Sequence, residues 1–349
     1  MRKMKPKLLG MSLLQLQEVA ADLSLPRFAA RQIADWLYAK GIREISGMTN
    51  LSNPARKALE ERYQIGHTTY TEKFLSSDGT KKYIFPTSIA GRYIETVMIP
   101  EYDNDHGREI GRATICVSSQ VGCRMNCTFC MTGRSGYHGR LAAAEIISQF
   151  MNIDEAQELT NAVFMGMGEP LDNWDEVSKV LQILTSDWGF GWSPKRITLS
   201  TVGVLPNLKY FLDDFKCHLA LSLHTPFDEE RAALMPVQKA FKLEDILSLI
   251  RRYDFSGQRR VSFEYIMFSG VNDTKRHADA LIRMLSGLEC RINLIRFHSI
   301  PGLALQTSPR VRIDDFKARL NNAGIITTLR TSRGEDIMAA CGLLAGQER

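Results

Sequence analysis

The stretch "CRMNCTFC" at residues 123–130 sets three cysteines in the spacing C-x-x-x-C-x-x-C. At about 2% cysteine, such a triple would arise by chance in roughly three chains per thousand of this length, so the spacing is a signal. The number three is the informative part. A structural zinc site closes with four ligands, an electron-transfer cluster normally takes four cysteines, and a disulfide takes two. Three thiolates suit three irons of one [4Fe–4S] cluster and leave the fourth iron for a substrate-like ligand. The plainer alternatives are a zinc site completed by a distant His or Cys, and three coincident structural thiols.

Short apolar runs surround this stretch. "RATICVS" (112–118) precedes it, and similar runs return at "NAVFMG" (161–166), "RITLSTVG" (196–203), "HLALSLH" (218–224), "RRVSFEYIMF" (259–268) and "RINLIRFH" (291–298). "GIITTLRTS" (324–332) is a further strand candidate. Between them, "WDEVSKVLQILTSD" puts Val177, Val180, Leu181 and Leu184 on one helical face, and "LEDILSLIRRY" and "TKRHADALIRMLSGL" repeat the pattern. Alternating strand and helix predict βαβ units on a parallel sheet, an α/β fold. About six units predict a partial (β/α)6 barrel in place of a full eightfold one. In such sheets the carboxyl ends of the strands carry the reactive site, so Cys123, Cys127 and Cys130 stand where chemistry belongs.

Toward the N-terminus the rhythm changes. "PRFAARQIADWLYAKG" places Ala29, Ile33, Trp36 and Leu37 on one helical face, with Gly41 as the stop. "SNPARKALEERY" offers Asn53 as N-cap and Pro54 at the first helical position. "FLSSDGTKKYIFP" reads as a hairpin about Asp78-Gly79, and "RYIETVMIP" as a third strand. The polar segment "EYDNDHGREIG" has no periodicity and reads as a loop or linker. The expected organisation is a helical accessory domain over 1–68, a β-hairpin extension and linker over 69–110, the barrel over 111–332, and a tail over 333–349.

Composition narrows the setting. A chain of 349 residues, 44% hydrophobic and 24% charged, is ordinary for a globular protein that buries a substantial core. The basic start lacks the unbroken apolar run of a signal peptide, and no later run approaches a membrane span, so a cytoplasmic protein is expected. Seven cysteines, three of them within eight residues, do not resemble a secreted disulfide framework. A net charge of +5 permits a polyanionic partner without requiring one.

Other strand ends offer polar groups. In "MGMGEP", Gly166 and Gly168 let a ligand approach the backbone, Glu169 is placed to accept hydrogen bonds, and Pro170 stiffens the turn. Ser200 in "LSTVG", Ser222 and His224 in "LSLH", and Asn293 in "INLIRFH" follow at successive strands. The alternative for each is a strand-end cap or a satisfied core polar group. Cys116 precedes the triple, Cys341 lies near the C-terminus, and Cys217 and Cys290 sit at apolar junctions as expected inert thiols.

An iron left open beside an α/β barrel resembles the radical S-adenosylmethionine (SAM) enzymes, whose shared signature is this cysteine spacing. Together "CVSSQVGCRMNCTFC", "MGMGEPL", "STVG", "LSLHTP", "GVND" and "AACGLLAG" resemble the RlmN family of adenine carbon-2 RNA methyltransferases, from the N-terminal helices to residue 346. The resemblance implies one [4Fe–4S] cluster on Cys123, Cys127 and Cys130, and two SAM molecules per turnover. It implies SAM contacts at Gly168, Glu169, Ser200, Ser222, Leu223, His224 and Asn293. Cys341 is then methylated by one SAM, and a radical from the second SAM removes hydrogen from that methyl group. The thiomethylene radical adds to carbon 2 of adenine, and Cys116 attacks Cys341 to form a disulfide and free the base. Glu95 matches the family's proton acceptor. The physical need for this detour is plain: carbon 2 has no lone pair with which to attack SAM, whereas a thiolate has.

The family's substrates are an adenosine in 23S rRNA near the peptidyl-transferase centre and the adenosine 3′ of the tRNA anticodon. An electron donor such as flavodoxin or ferredoxin, a monomeric state and no membrane partner complete the expectation. Basic residues in "SPKRITLS", "SGQRRVSF" and "KRHADALIR" are placed to meet phosphates, and the target base must leave its stack. Cfr-type relatives methylate carbon 8 with the same cysteine set; Pro170 favours the carbon-2 group. The polar run "YDNDHGREIG" is longer than in typical members and loosens the placement of Glu95. A non-catalytic metal-binding RNA module is the reading from another class.

Overall fold

The computed structural model describes residues 5–102, 109–257 and 259–345. Its strands are β1 (Glu72–Leu75), β2 (Lys81–Pro86), β3 (Tyr93–Tyr102), β4 (Glu109–Cys116), β5 (Gln120–Gly122), β6 (Tyr137–Arg140), β7 (Leu159–Phe164), β8 (Ile197–Thr201), β9 (His218–Ser222), β10 (Val261–Met267), β11 (Arg291–Arg296) and β12 (Ile326–Leu329). Ten of these form one sheet in the order β1-β2-β3-β4-β7-β8-β9-β10-β11-β12, and β5 and β6 make a separate ribbon. From β4 to β12 every neighbour is parallel. Buried on both faces, these strands read as apolar runs: Leu219, Ala220 and Leu221 of β9 are all fully buried.

Helices cross over between the parallel strands. Trp174–Thr185 buries Val177, Val180, Leu181 and Leu184, the face its periodicity predicts. Leu243–Ile250 and Lys275–Met284 do likewise with Ile246, Ile250, Ala278 and Leu281. The result is a mixed α/β fold with β1 and β12 at its free edges, the six expected strands, and β12 as a seventh parallel member. Every parallel strand therefore ends at one mouth.

The described residues of the polar run, 101–102 and 109–111, are strand and not linker. β3 and β4 pair antiparallel up to Glu101 opposite Arg112 and Tyr102 opposite Glu109, with a bulge at Glu101/Tyr102. The middle of that run, 103–108, lies outside the described residues. The β1–β2 turn spans 76–80, and within it Gly79 takes the positive φ of +82°. Through β1–β3 the accessory strands continue the barrel sheet itself.

The N-terminal helices Leu13–Asp22, Ala29–Ala34 and Asn53–Arg62 bury Leu16, Ile33 and Leu59 against one another. The cap of the last is Ser52, not Asn53: its extended backbone lets Oγ accept the Ala55 N–H at 3.3 Å, while Asn53 Oδ1 accepts from Arg56. This module docks on the helix Ala143–Met151, where Ser148 Oγ accepts the Thr68 N–H at 3.0 Å.

Candidate active site

Cys123, Cys127 and Cys130 occupy the loop between β5 and the short helix Met131–Arg134. The loop is braced at each end: the Cys123 N–H donates to Gly136 O at 3.1 Å, and the Thr128 N–H to Leu234 O at 3.0 Å. All three thiols line one cavity with Gly168, Glu169, Ser200, Ser222 and His224. Burial pushes each thiol up, Cys123 to about 12, and their mutual repulsion as thiolates adds to the rise for Cys127. Among the described residues no three His, Cys, Asp or Glu side chains close around a single metal ion.

The turn after β7 shapes the opposite wall. Gly168 has φ +98°, and a Cβ there would lie 2.5 Å from the Gln120 Cβ, so the β5 segment can approach only a glycine. Glu169 is buried, and its Oε1 accepts the Leu171 N–H at 3.0 Å and the Thr201 hydroxyl at 2.7 Å. Oε2 accepts the Val202 N–H at 2.9 Å. Burial pushes this carboxyl up to about 7 against those hydrogen bonds. Two lone-pair sites per oxygen leave one on Oε2 for a cationic donor.

Ser200 and Ser222 stand at the ends of β8 and β9. Arg231, fully buried, ties those ends together: Nη2 donates to Val202 O and to Ser222 O, each at 3.0 Å. His224 holds a left-handed backbone, φ +59°, fixed by Asn272 Nδ2 on its carbonyl at 2.6 Å. Its Nδ1 accepts the Ile266 N–H at 3.1 Å, so the neutral ring carries its hydrogen on Nε2. Burial keeps it neutral, with its pKa near 3.

A second cavity adjoins the first. Cys116, the last residue of β4, lines it together with Arg330, His298 and Ser332. Cys341 lines both cavities. Burial pushes the Cys116 thiol up to about 12, the Cys341 thiol beside it acts in the same direction, and Arg330 opposes them. The tail reaches this place by docking on the cysteine loop: the Met131 N–H donates to Gly342 O at 2.8 Å, and Thr132 Oγ donates to Leu344 O.

Three expected site residues stand back from the cavities. Asn293 Nδ2 donates to Glu264 Oε1 at 2.7 Å, and its Oδ1 accepts from Thr328 at 2.9 Å, so its amide is engaged behind the wall. The Leu223 side chain is buried, and its backbone N–H donates to Glu264 O at 3.1 Å. Glu95 is buried in β3 with Oε2 3.4 Å from Lys82 Nζ, which also reaches Met338 O at 3.5 Å. It is not among the lining residues of either cavity.

The sequence reading missed Glu264 and Arg330. Glu264 lines the first cavity, and Arg330 lines both, its Nη1 3.3 Å from Glu264 Oε2. The signal was a lone carboxylate within the apolar run "VSFEYIMF". Cys217 is buried and Cys290 half-buried, away from both cavities.

Residues 117–281 match the radical SAM superfamily, and residues 6–65 match the ribosomal RNA large subunit methyltransferase N-terminal domain. A parallel α/β sheet carrying the cysteine triple over its strand ends thus makes this a radical SAM protein. A Porphyromonas gingivalis protein called probable dual-specificity RNA methyltransferase RlmN is 54% identical over 97% of this chain and 96% of its own length. A Parabacteroides distasonis protein of the same name is 52% identical over 98% of this chain and 97% of its own. The crystal structure of a radical SAM methyltransferase from Sphaerobacter thermophilus superposes with a TM-score of 0.86 at 36% identity, covering 97% of this chain and 99% of that one. The chain belongs to the RlmN family.

The radical SAM family implies a [4Fe–4S] cluster and SAM, and the donor set fits both. Three neutral thiols that repel one another as thiolates need a cationic centre to ionise, and they face the one remaining Oε2 acceptor site of Glu169 across a shared cavity. No helix among the described residues is long and apolar enough to cross a membrane.

Proposed function

We propose that the protein methylates carbon 2 of adenosine in 23S rRNA and in the tRNA anticodon loop, using a methyl group carried on Cys341. The observation that carries this reading is the position of Cys341 at the junction of two cavities, one lined by the three cluster cysteines and the other by Cys116. A sulfur there can be loaded on one side and resolved on the other. The bound cluster and SAM supply the methyl group and the one-electron chemistry that activates it.

The chain's own residues divide the remaining work. Cys123, Cys127 and Cys130 hold the cluster. Glu169 accepts a hydrogen bond from the SAM amino group, and Ser200, Ser222 and the His224 Nε2–H line the site for the rest of the ligand. Cys341 is the methyl acceptor, and Cys116 is the thiol that displaces the methylated base by forming a disulfide. The base must leave its stack to reach Cys341. An external one-electron reductant such as flavodoxin or ferredoxin completes the partners.

The test is mass spectrometry of ribosomal and transfer RNA from cells with and without the gene. 2-Methyladenosine that disappears with the gene supports the reading; 8-methyladenosine in its place assigns the chemistry to the carbon-8 class. Purified Cys341→Ala is expected to transfer no methyl group to RNA. Cys116→Ala is expected to remain covalently joined to it.

A further inference from the structure

His298 lies two residues beyond β11, shares a cavity with Cys116 and Cys341, and has a side chain only 8% exposed. Its ring is held on both sides: Glu335 Oε1 lies 3.1 Å from Nδ1, and Ser332 Oγ lies 3.0 Å from Nε2. A carboxylate only accepts, so Nδ1 carries the hydrogen, and Nε2 of the neutral ring accepts the Ser332 hydroxyl. Ser332 and His298 both line the cavity that contains the two cysteines. The series Glu335–His298–Ser332 is thus set for proton transfer in a site where no role has been given to it.

The chemistry of resolution calls for such a group. Cys116 ends as one sulfur of a disulfide, so its thiol hydrogen must leave. The carbon that departs from Cys341 ends as a methyl group, so it must gain a hydrogen. Cys116–SH and Cys341–S–CH2–adenine become Cys116–S–S–Cys341 and methyladenine. The S–C bond breaks with its electron pair on carbon, the thiolate pair makes the S–S bond, and one proton crosses from sulfur to carbon. The balance closes with no external oxidant or reductant.

The titratable and charged residues lining this cavity are Cys116, Cys130, Cys341, His298, Arg330 and Arg333. The guanidiniums do not release a proton, Cys130 is assigned to the cluster, and Cys116 and Cys341 are the reactants. An imidazole has one nitrogen that can accept a proton and one that can give one up. Glu95 is not among the lining residues and lies against Lys82. We propose that His298, oriented by Glu335 and backed by the Ser332 hydroxyl, carries the proton from Cys116 to the departing carbon; this rests on the methyl-thiol reading above.

The test uses full-length, cluster-loaded protein with RNA, SAM and reductant, comparing wild type, His298→Asn, His298→Ala, Glu95→Gln and Cys116→Ala. His298→Asn is expected to load its methyl group and form the protein–RNA adduct at wild-type levels, and to resolve that adduct about 100-fold more slowly on a denaturing gel. Added imidazole is expected to restore resolution in His298→Ala. Resolution by His298→Asn at the wild-type rate overturns the proposal, as does an adduct that persists in Glu95→Gln but not in His298→Asn. Loss of methyl loading in His298→Asn assigns the residue a structural role and also overturns it. If Cys116→Ala itself traps no adduct, the methyl-thiol reading falls, and this proposal with it.

Discussion

Asp78, in the turn of the first hairpin, accepts the backbone N–H of Gly334 at 2.9 Å, across 256 residues of sequence. Beside it Asp336 accepts the Ser76 hydroxyl at 2.5 Å and the Ser77 N–H at 3.0 Å. The turn of β1–β2 therefore grips the tail a few residues before Cys341. This gives the accessory strands a purpose in the chemistry: they fix the root of a segment whose far end docks on the cysteine loop. Replacing both aspartates by asparagine removes the charge-assisted part of the grip. Cys341 in the D78N/D336N protein is then expected to react with iodoacetamide several-fold faster than in wild type, with Cys217 unchanged, as read by mass spectrometry of the alkylated peptides.

The same clamp carries a pH signature. Burial raises the Asp78 carboxyl, but the hydrogen bonds from Thr80, Gly334 and Ser76 outweigh it and hold the group below its usual value of 3.8. Asp336 is lowered chiefly by Ser76 and Ser77. A folded-state value below the unfolded one means the folded protein binds the proton less readily, so this contribution is full above 3.8 and fades as pH falls through the folded value. The stability difference between wild type and D78N in urea is expected at pH 7 and to shrink as pH falls below 3.8. A difference that grows on acidification would contradict the clamp.

The parallel strands were legible because burial on both faces leaves little but apolar residues, as in "HLALS". The helix Ala143–Met151 went unread although Glu145, Ser148 and Gln149 fall on one face; those polar residues are buried with the apolar ones, against partners elsewhere in the chain. Glu101, Tyr102 and Glu109–Gly111 also went unread as strand, because their local sequence has neither period. At the site, the cysteine triple and the glycine turn carry their meaning in local spacing. Asp78 read only as a turn residue, and Glu264, Arg330 and His298 gain theirs from partners dozens to hundreds of positions away, which no local pattern encodes.

Glu169 makes a sharp test of the SAM wall. Its oxygens accept two backbone N–H groups and one hydroxyl, whereas a glutamine in its place has one acceptor oxygen and an amide that only donates. One backbone N–H is then left facing a donor, at a cost of about 1–3 kcal/mol. Glu169→Gln is expected to lower the unfolding free energy read from urea denaturation by that amount and to weaken SAM binding at least tenfold in calorimetry, through loss of a charge-assisted hydrogen bond worth about 1.5–3 kcal/mol. Iron content should stay at the wild-type level, because no cluster ligand is touched.

Arg231 tests whether the cysteine loop depends on the strand ends beneath it. The guanidinium is fully buried, spans Val202 O and Ser222 O at 3.0 Å each, and reaches Gln238, which in turn donates to Asp228 at 2.8 Å. Burial lowers its pKa only to about 10, so it remains a cation at neutral pH. Arg231→Met fills the volume but leaves three acceptors without a donor and Asp228 without its buried counter-charge. The expected loss is about 3 kcal/mol, read as a lowered thermal or urea midpoint. The consequence reaches the cluster: the helix Asp228–Leu234 supplies the Leu234 carbonyl that accepts both the Thr128 N–H at 3.0 Å and the Thr128 hydroxyl at 3.3 Å, between Cys127 and Cys130. Anaerobically reconstituted Arg231→Met should therefore bind less iron per chain than wild type. Arg231→Lys keeps the charge but lacks the planar fork that spans two carbonyls, so it should recover only part of both properties. Wild-type iron content in a clearly destabilised Arg231→Met protein would show that the loop is held independently of this residue.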